Sequence, residues 1–399
     1  PLFGSPDQGA VETKVPAFTG KTLWVGTDEY KRVGVRVSDS PEIEFFSTLT
    51  GEVLHKVAVP GLKGKKITAA SVTLRPYLTD VMGASKDVPF YGIALGTEDG
   101  RIVAGRLYFL TLYKRFDAGK EPEELKALRL PAESEFKQPT YVPGVVTIEE
   151  RKRKWVAEHL PEFGFYRYMR ADVQFNRTIE MPLAGESVEQ LHFAIEHAKP
   201  GAELDTVTAV ITGKGRALLR QEKLVPNPMD EEELVPELVF EADVQPQIGA
   251  RPHQVLVHEN RREVLFATAD GVLHVFRTRV DENTGKKDFF QLAYPGISLL
   301  GFDQEEGREW RDTAASLRDD GVQPEGKLEL TALGWLLGDA TILVGDSYGG
   351  IQAWSPVREY DDDNNARYRR IRALPSGSGA IAGFCSAQAS KSFLAWDTS

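Results

Sequence analysis

Leu343-Val-Gly-Asp-Ser-Tyr-Gly-Gly-Ile-Gln-Ala-Trp-Ser355 reads as an apolar strand, a tight turn ending in Gly349, and a second strand in which apolar and polar residues alternate. The phrase returns in degenerate form at Ala94-Leu-Gly-Thr-Glu-Asp-Gly-Arg-Ile-Val-Ala-Gly-Arg106 and at Leu265-Phe-Ala-Thr-Ala-Asp-Gly-Val-Leu-His-Val-Phe-Arg277. Hairpin turns need a positive φ that a Cβ penalises, which places Gly100, Gly271 and Gly349 at equivalent turns. The chain is built on a repeated β-hairpin.

A more polar segment running into proline follows each hairpin: Lys56-Val-Ala-Val-Pro60, Lys126-Ala-Leu-Arg-Leu-Pro131, Gln291-Leu-Ala-Tyr-Pro295 and Arg370-Ile-Arg-Ala-Leu-Pro375. Proline cannot donate to a ladder, so these segments read as outermost strands and their prolines as exits. Small-residue apolar strands come next, at Ile67-Thr-Ala-Ala-Ser-Val72, Leu330-Thr-Ala-Leu-Gly-Trp335 and Ile381-Ala-Gly-Phe-Cys-Ser386. They suit positions crowded around an axis.

Among architectures with repeats of about 40–50 residues, this order fits the four-stranded blade of an all-β propeller of the WD40-like kind. Helical repeats would show apolar residues at 3.6 spacing, and a β-sandwich predicts no recurrent phrase. The expected blades are 20–60, 66–131, 140–187, 188–250, 251–296, 327–375 and 379 onward, which makes seven, with six as the alternative. Residues 1–19 read as an N-terminal extension and 20–399 as one ring. Residues 302–321, rich in helix formers and closed by Gly321, predict a helical insertion. The last strand, within Lys391-Ser-Phe-Leu-Ala-Trp-Asp-Thr-Ser399, stops where a glycine turn is expected. Two expectations follow: the N-terminal segment completes the last blade, or the chain is a piece of a longer protein.

The net charge of −11, from 48 basic and 59 acidic residues scattered along the chain, excludes a phosphate-backbone binder; no nucleic acid is expected as partner. The one basic run, Arg151-Lys-Arg-Lys154, reads as a solvated patch, with contact to anionic lipid as the sharper reading. Cys385 stands alone, so no intramolecular disulfide forms. No stretch approaches the ~20 apolar residues that span a bilayer.

Chemistry is hard to find. His192 and His197, like His253 and His258, lie five apart, which puts the members of each pair on opposite faces of a strand. His55, His159 and His274 have no partner at ligand spacing. Asp361, Asp362 and Asp363 lack the glycine and glutamate of a calcium loop. Asp28 and Glu29 point oppositely on a strand, and Gly213-Lys-Gly215 is a hairpin turn too short to cradle phosphate. Trp24, Trp335, Trp354 and Trp396 read as packing between blades. Asn176-Arg-Thr178 fits the glycosylation pattern. No catalytic, cofactor-binding or metal-binding residue is assigned, and no enzyme is expected.

The stretch from Leu328 to Trp354, together with Thr27-Asp-Glu-Tyr-Lys-Arg-Val-Gly-Val-Arg-Val37, resembles the soluble WD40-like insert of the enlarged permease subunit of proteobacterial phosphate ABC importers. The resemblance implies a domain inserted after the first transmembrane helix, on the periplasmic side of the inner membrane. It implies docking to the membrane-spanning part of the permease, the phosphate-binding protein or a signalling partner. None of the permease's own helices is present, so no transport residue carries over. The rival readings are a stand-alone WD40-like scaffold and a propeller enzyme with its site at the channel mouth.

Overall fold

The turn ending in Gly349 is one of four built alike. In each, the glycine N–H donates to the carbonyl three residues back: Gly100 to Thr97, Gly215 to Thr212, Gly271 to Thr268 and Gly349 to Asp346. The same four partners use a side-chain oxygen to receive the N–H four residues on, from Arg101, Arg216, Val272 and Gly350 at 2.8–3.2 Å. The four glycines share φ between +80° and +82°, which a Cβ would resist. The equivalence read from the repeated phrase is therefore real, and Gly215 joins it.

The computed structural model describes residues 20–28, 31–73, 90–116, 120–130, 165–195, 204–227, 229–258, 263–280, 287–299, 327–336, 341–360, 366–375, 379–387 and 392–398. Sheet 1 holds β1 (Thr22–Thr27), β2 (Val33–Ser38), β3 (Glu42–Ser47) and β4 (Val53–Ala58). Sheet 2 holds β5 (Ile67–Val72), β6 (Phe90–Thr97), β7 (Ile102–Arg115) and β8 (Phe165–Thr178); between β7 and β8 lies α1 (Glu123–Lys126). Sheet 3 holds β9 (Val188–Ile195), β10 (Leu204–Thr212), β11 (Ala217–Asn227) and β12 (Asp230–Asp243), followed by α2 (Gln245–Ile248). Sheet 4 holds β13 (Pro252–His258), β14 (Glu263–Thr268), β15 (Val272–Val280) and β16 (Lys287–Ser298). Sheet 5 holds β17 (Leu330–Leu336), β18 (Thr341–Asp346), β19 (Gly350–Tyr360) and β20 (Ala366–Pro375), and sheet 6 pairs β21 (Ile381–Ala387) with β22 (Ser392–Asp397).

Every sheet is an antiparallel meander, and the first strands touch in the cycle β1, β5, β9, β13, β17, β21 and back to β1. That closed ring of inner strands is a β-propeller. The predicted inner strands at 67, 330 and 381 are all first strands. Their backbones pack closely because glycine leaves room: a Cβ on Gly334 of β17 would stand 2.7 Å from that of Phe384 on β21. The core lies in the wedges between sheets, as in the cluster of Leu256, Leu265 and Val275 with Leu333, Trp335 and Ile342.

Two expectations change. The blade drawn at 140–187 does not exist as a unit, because β8 is the fourth strand of sheet 2, paired with β7 from Val103↔Thr178 to Arg115↔Phe165. Six sheets, not seven, are present among the described residues. Of the segment that imitated an outer strand, Lys126 to Pro131, the described part follows on from α1 and bridges to β8 at Arg129↔Tyr168. Pro295 is likewise no exit: it pairs with His274 inside β16, at a shift in register. Pro375 does end its strand and Pro60 follows β4 closely. The expected helix at 302–321 lies outside the described residues.

Candidate interaction face

A meander of four strands returns to the side on which it began, so the ring has two unlike faces. One carries the glycine turns and the linkers from each fourth strand to the next sheet. The other carries the connections from first to second and from third to fourth strands.

The turn face is laced shut. Linkers bond back to the turns they pass, as in Val59 N–H to Pro41, Ile179 to Ile102, Val244 to Ala217 and Leu299 to Gly271. They bond onward as well, in Ile67 to Asp39, Gly213 to Ser187 and Ser347 to Glu329. Ion pairs add to the lacing: Lys65–Asp99 at 2.8 Å, Lys66–Asp39 at 3.4 Å and Arg251–Glu189 at 2.9 Å. Such exposed pairs contribute little each, about 0–1 kcal/mol.

The opposite face is where outer hairpins overrun the ring. Among the described residues β7 pairs with β6 as far as Tyr108, and residues 109–115 and 165–171 continue beyond it as a β7–β8 ribbon. The ribbon holds Lys114, Arg115, Arg167 and Arg170 and no acid. Its edge is covered by the segment after α1, where Leu130 N–H donates to Arg167 and Met169 N–H to Leu128. Arg129 stacks on the Tyr166 ring at 3.8 Å, and the Tyr168 hydroxyl donates to Glu121 at 2.5 Å. The β11–β12 hairpin is its opposite: β12 carries seven acids and no base, and Met229 at the tip is 93% exposed. Adjacent sheets thus present a basic and an acidic projection on one face.

Beneath these lies a buried relay that holds sheet 2 to sheet 3. Arg177 of β8 reaches Glu222 of β11 at 3.1 Å and Thr206 at 3.3 Å. Arg220 holds the other Glu222 oxygen at 2.8 Å and Glu241 at 2.6 Å. Glu222 is 3% exposed, so its charge is supported by two guanidinium groups rather than by water. The composition gave no sign of this relay; the residues are far apart in sequence and meet only through the ring.

The residues singled out in the sequence do not converge. Asp28 is buried and accepts the N–H groups of Arg32 and Val33 at 2.7 and 2.6 Å, which closes the β1–β2 turn. His253 and His258 occupy opposite ends of β13, the first exposed and the second buried edge-on to Trp335 at 5.1 Å. His55 stacks on Phe45 at 4.4 Å, and His274 is buried on β15. Burial pushes the His192 imidazole down to about 4, although its bond to the Val255 backbone works the other way. The Trp335 indole donates to Val257 at 2.9 Å, from sheet 5 to sheet 4, as packing between blades requires. Trp354 donates to Gln352 at 3.2 Å, Trp24 lies against Gly26 and Trp396 against Gly383. Cys385 lies where β21 meets β1, its sulfur 3.2 Å from where a Gly26 Cβ would sit, and burial pushes its thiol up to about 12. Asn176 is exposed on β8. Glu29, Arg151 to Lys154, His159, His197 and Asp361 to Asp363 lie outside the described residues. Among the described residues no three His, Cys, Asp or Glu side chains gather as a metal would need. No helix among them is long and apolar enough to cross a membrane.

No family model and no curated protein sequence matches the chain. Among solved structures, the β-propeller domain of Cps50 (Swd1) from Myceliophteria thermophila is similar over 96% of this chain and 95% of that one, with 8% identity and a TM-score of 0.41.

Proposed function

We infer that this propeller is a non-catalytic docking or regulatory domain of a phosphate ABC importer's permease, carried on the periplasmic side of a bacterial inner membrane. The observation that carries the reading is the resemblance over 328–354 and 27–37, which includes the Gly-Asp-Ser-x-Gly-Gly turn. The hairpins that project on the face opposite the glycine turns are the surface such a domain offers a partner.

The domain modulates transport and is not part of the phosphate route. Binding phosphate takes several convergent donors, and the arginines of the buried relay are committed to Glu222 and Glu241. The test is deletion of residues 20–398 from the intact permease, with uptake measured in cells. Retained uptake at an altered rate is expected. Complete loss in a stable, correctly inserted protein refutes the reading, as does micromolar phosphate binding to the isolated domain by calorimetry.

A further inference from the structure

We propose that the seam between sheets 3 and 4 is a proton-operated joint, closed at neutral pH and opened selectively by acid. The inference is independent of the phosphate reading. It begins with where the histidines fall: five are among the described residues, and three of them, His192, His253 and His274, stand on this one seam.

Strand alternation places them. On β9, Ala194 belongs to the core between the two sheets, so His192, two residues back, faces sheet 4, where it bonds to the Val255 backbone of β13. On β15, Phe276 belongs to the same core, so His274, paired with Phe266 across the ladder, faces sheet 3. His253 stands at the rim on β13, within the field of Glu189, Arg251 and Glu329. The other two histidines lie elsewhere. His55 is paired with Phe45, which packs towards sheet 2, and His258 meets Trp335 of sheet 5. The seam between sheets 2 and 3 is held instead by the Arg177–Glu222–Arg220 relay.

The closed seam is a poor place for an imidazolium. Its walls are apolar, with Val207, Ala209 and Leu219 from sheet 3 and Val255, Val264 and Phe266 from sheet 4. The Nδ1 atom of His274 is buried without a partner, so a proton placed there would make an N–H with no acceptor. Burial lowers His192 to about 4 and lowers His253 and His274 as well. Asp270, on the β14–β15 turn, favours a charged His274, and Glu329 and Glu189 favour a charged His253 against Arg251, but burial outweighs them. On the β11 wall the charge is Lys223, beside Glu237 in the register at the far end of the strand. Parting the seam frees each imidazole to titrate as in water, so protons are taken up only on opening and falling pH draws the joint apart. For His192 alone the effect sets in below about pH 6.5, and between about pH 7.5 and about pH 5 it multiplies the opening constant about 30-fold.

The experiment reads opening by thiol labelling with dithiodipyridine, which reacts in acid, on the full chain carrying Cys385→Ser. Ala194→Cys puts a single thiol in this seam, and Ala94→Cys puts one between sheets 2 and 3. Rates are divided by those of an unstructured peptide thiol at the same pH, and circular dichroism checks each fold. From about pH 7.5 to about pH 5 labelling of the first thiol is expected to accelerate about 30-fold or more, and at least about 10-fold more than that of the second. His192→Gln should remove most of that difference. His274→Gln, on the opposite wall, should remove a further part. Equal acceleration of the two thiols, which means that acid unfolds the whole ring, overturns the proposal. So does acceleration of neither, or a difference that survives both histidine variants.

Discussion

His192 makes the ring acid-sensitive in a way that can be isolated. It sits on β9 and bonds to Val255 of β13, so its imidazole lies where sheet 3 meets sheet 4. Burial lowers it to about 4, against about 6.5 for an unfolded chain. A depressed histidine keeps its neutral form in the fold, so the unfolded chain takes up a proton first as the pH falls. Its contribution is complete above about pH 6.5 and is lost progressively down to about pH 4. At about 1.4 kcal/mol per unit the whole loss is about 3 kcal/mol, of which about 2 kcal/mol has gone by pH 5. The perturbation is His192→Gln, which keeps an amide donor for Val255 and does not titrate. Urea unfolding of both proteins at about pH 7.5 and about pH 5 gives the comparison, and the wild type should lose about 2 kcal/mol more than the variant. His55, His253 and His274 are also lowered by burial, but they are present in both proteins and cancel. Equal losses in the two proteins refute a buried, neutral His192.

Three further outcomes test the architecture. Gly100→Ala should cost more than about 2 kcal/mol, since φ is +81° and the new Cβ would stand 2.6 Å from the Glu186 carbonyl; Gly249→Ala, with φ +73° and open space, should cost only about 1 kcal/mol in urea unfolding. Asp346→Ala should cost about 2 kcal/mol in the same assay, because Tyr348 and Gly350 lose their acceptor in a buried turn. Arg177→Met should destabilise the protein by about 2 kcal/mol, and Glu222→Gln in that background should restore part of the loss, a coupling read by a double-mutant cycle.

The turn glycines and inner strands were legible because they are local: positive φ, small residues and alternation are written in a dozen consecutive positions. The four-stranded sheet 2 was not, because β8 is separated from β7 by the whole chain between Arg115 and Phe165. An imitation of its phrase, Lys126 to Pro131, stood in the way. The candidate face was half legible. The acids of β12 and the basic residues of β7 and β8 are plain in the sequence, but only the ring shows which strands are outermost and which sheets are neighbours. The Arg177–Glu222–Arg220 relay was invisible, since nothing in the spacing of those residues announces a meeting.

The contact between β1 and β21 also sets an order of events. Within each sheet, strands pair mostly with neighbours in sequence and can form early; only this contact joins the two ends of the described chain. That contact closes the longest span of sequence in the ring, so the step that completes the circle comes late in time. Its reversal leaves an open arc of folded sheets, a species distinct from the unfolded chain. Amide exchange should therefore be fastest in β1 and β21 and slowest in the sheets diametrically opposite, so that the clock of this molecule runs around its circumference.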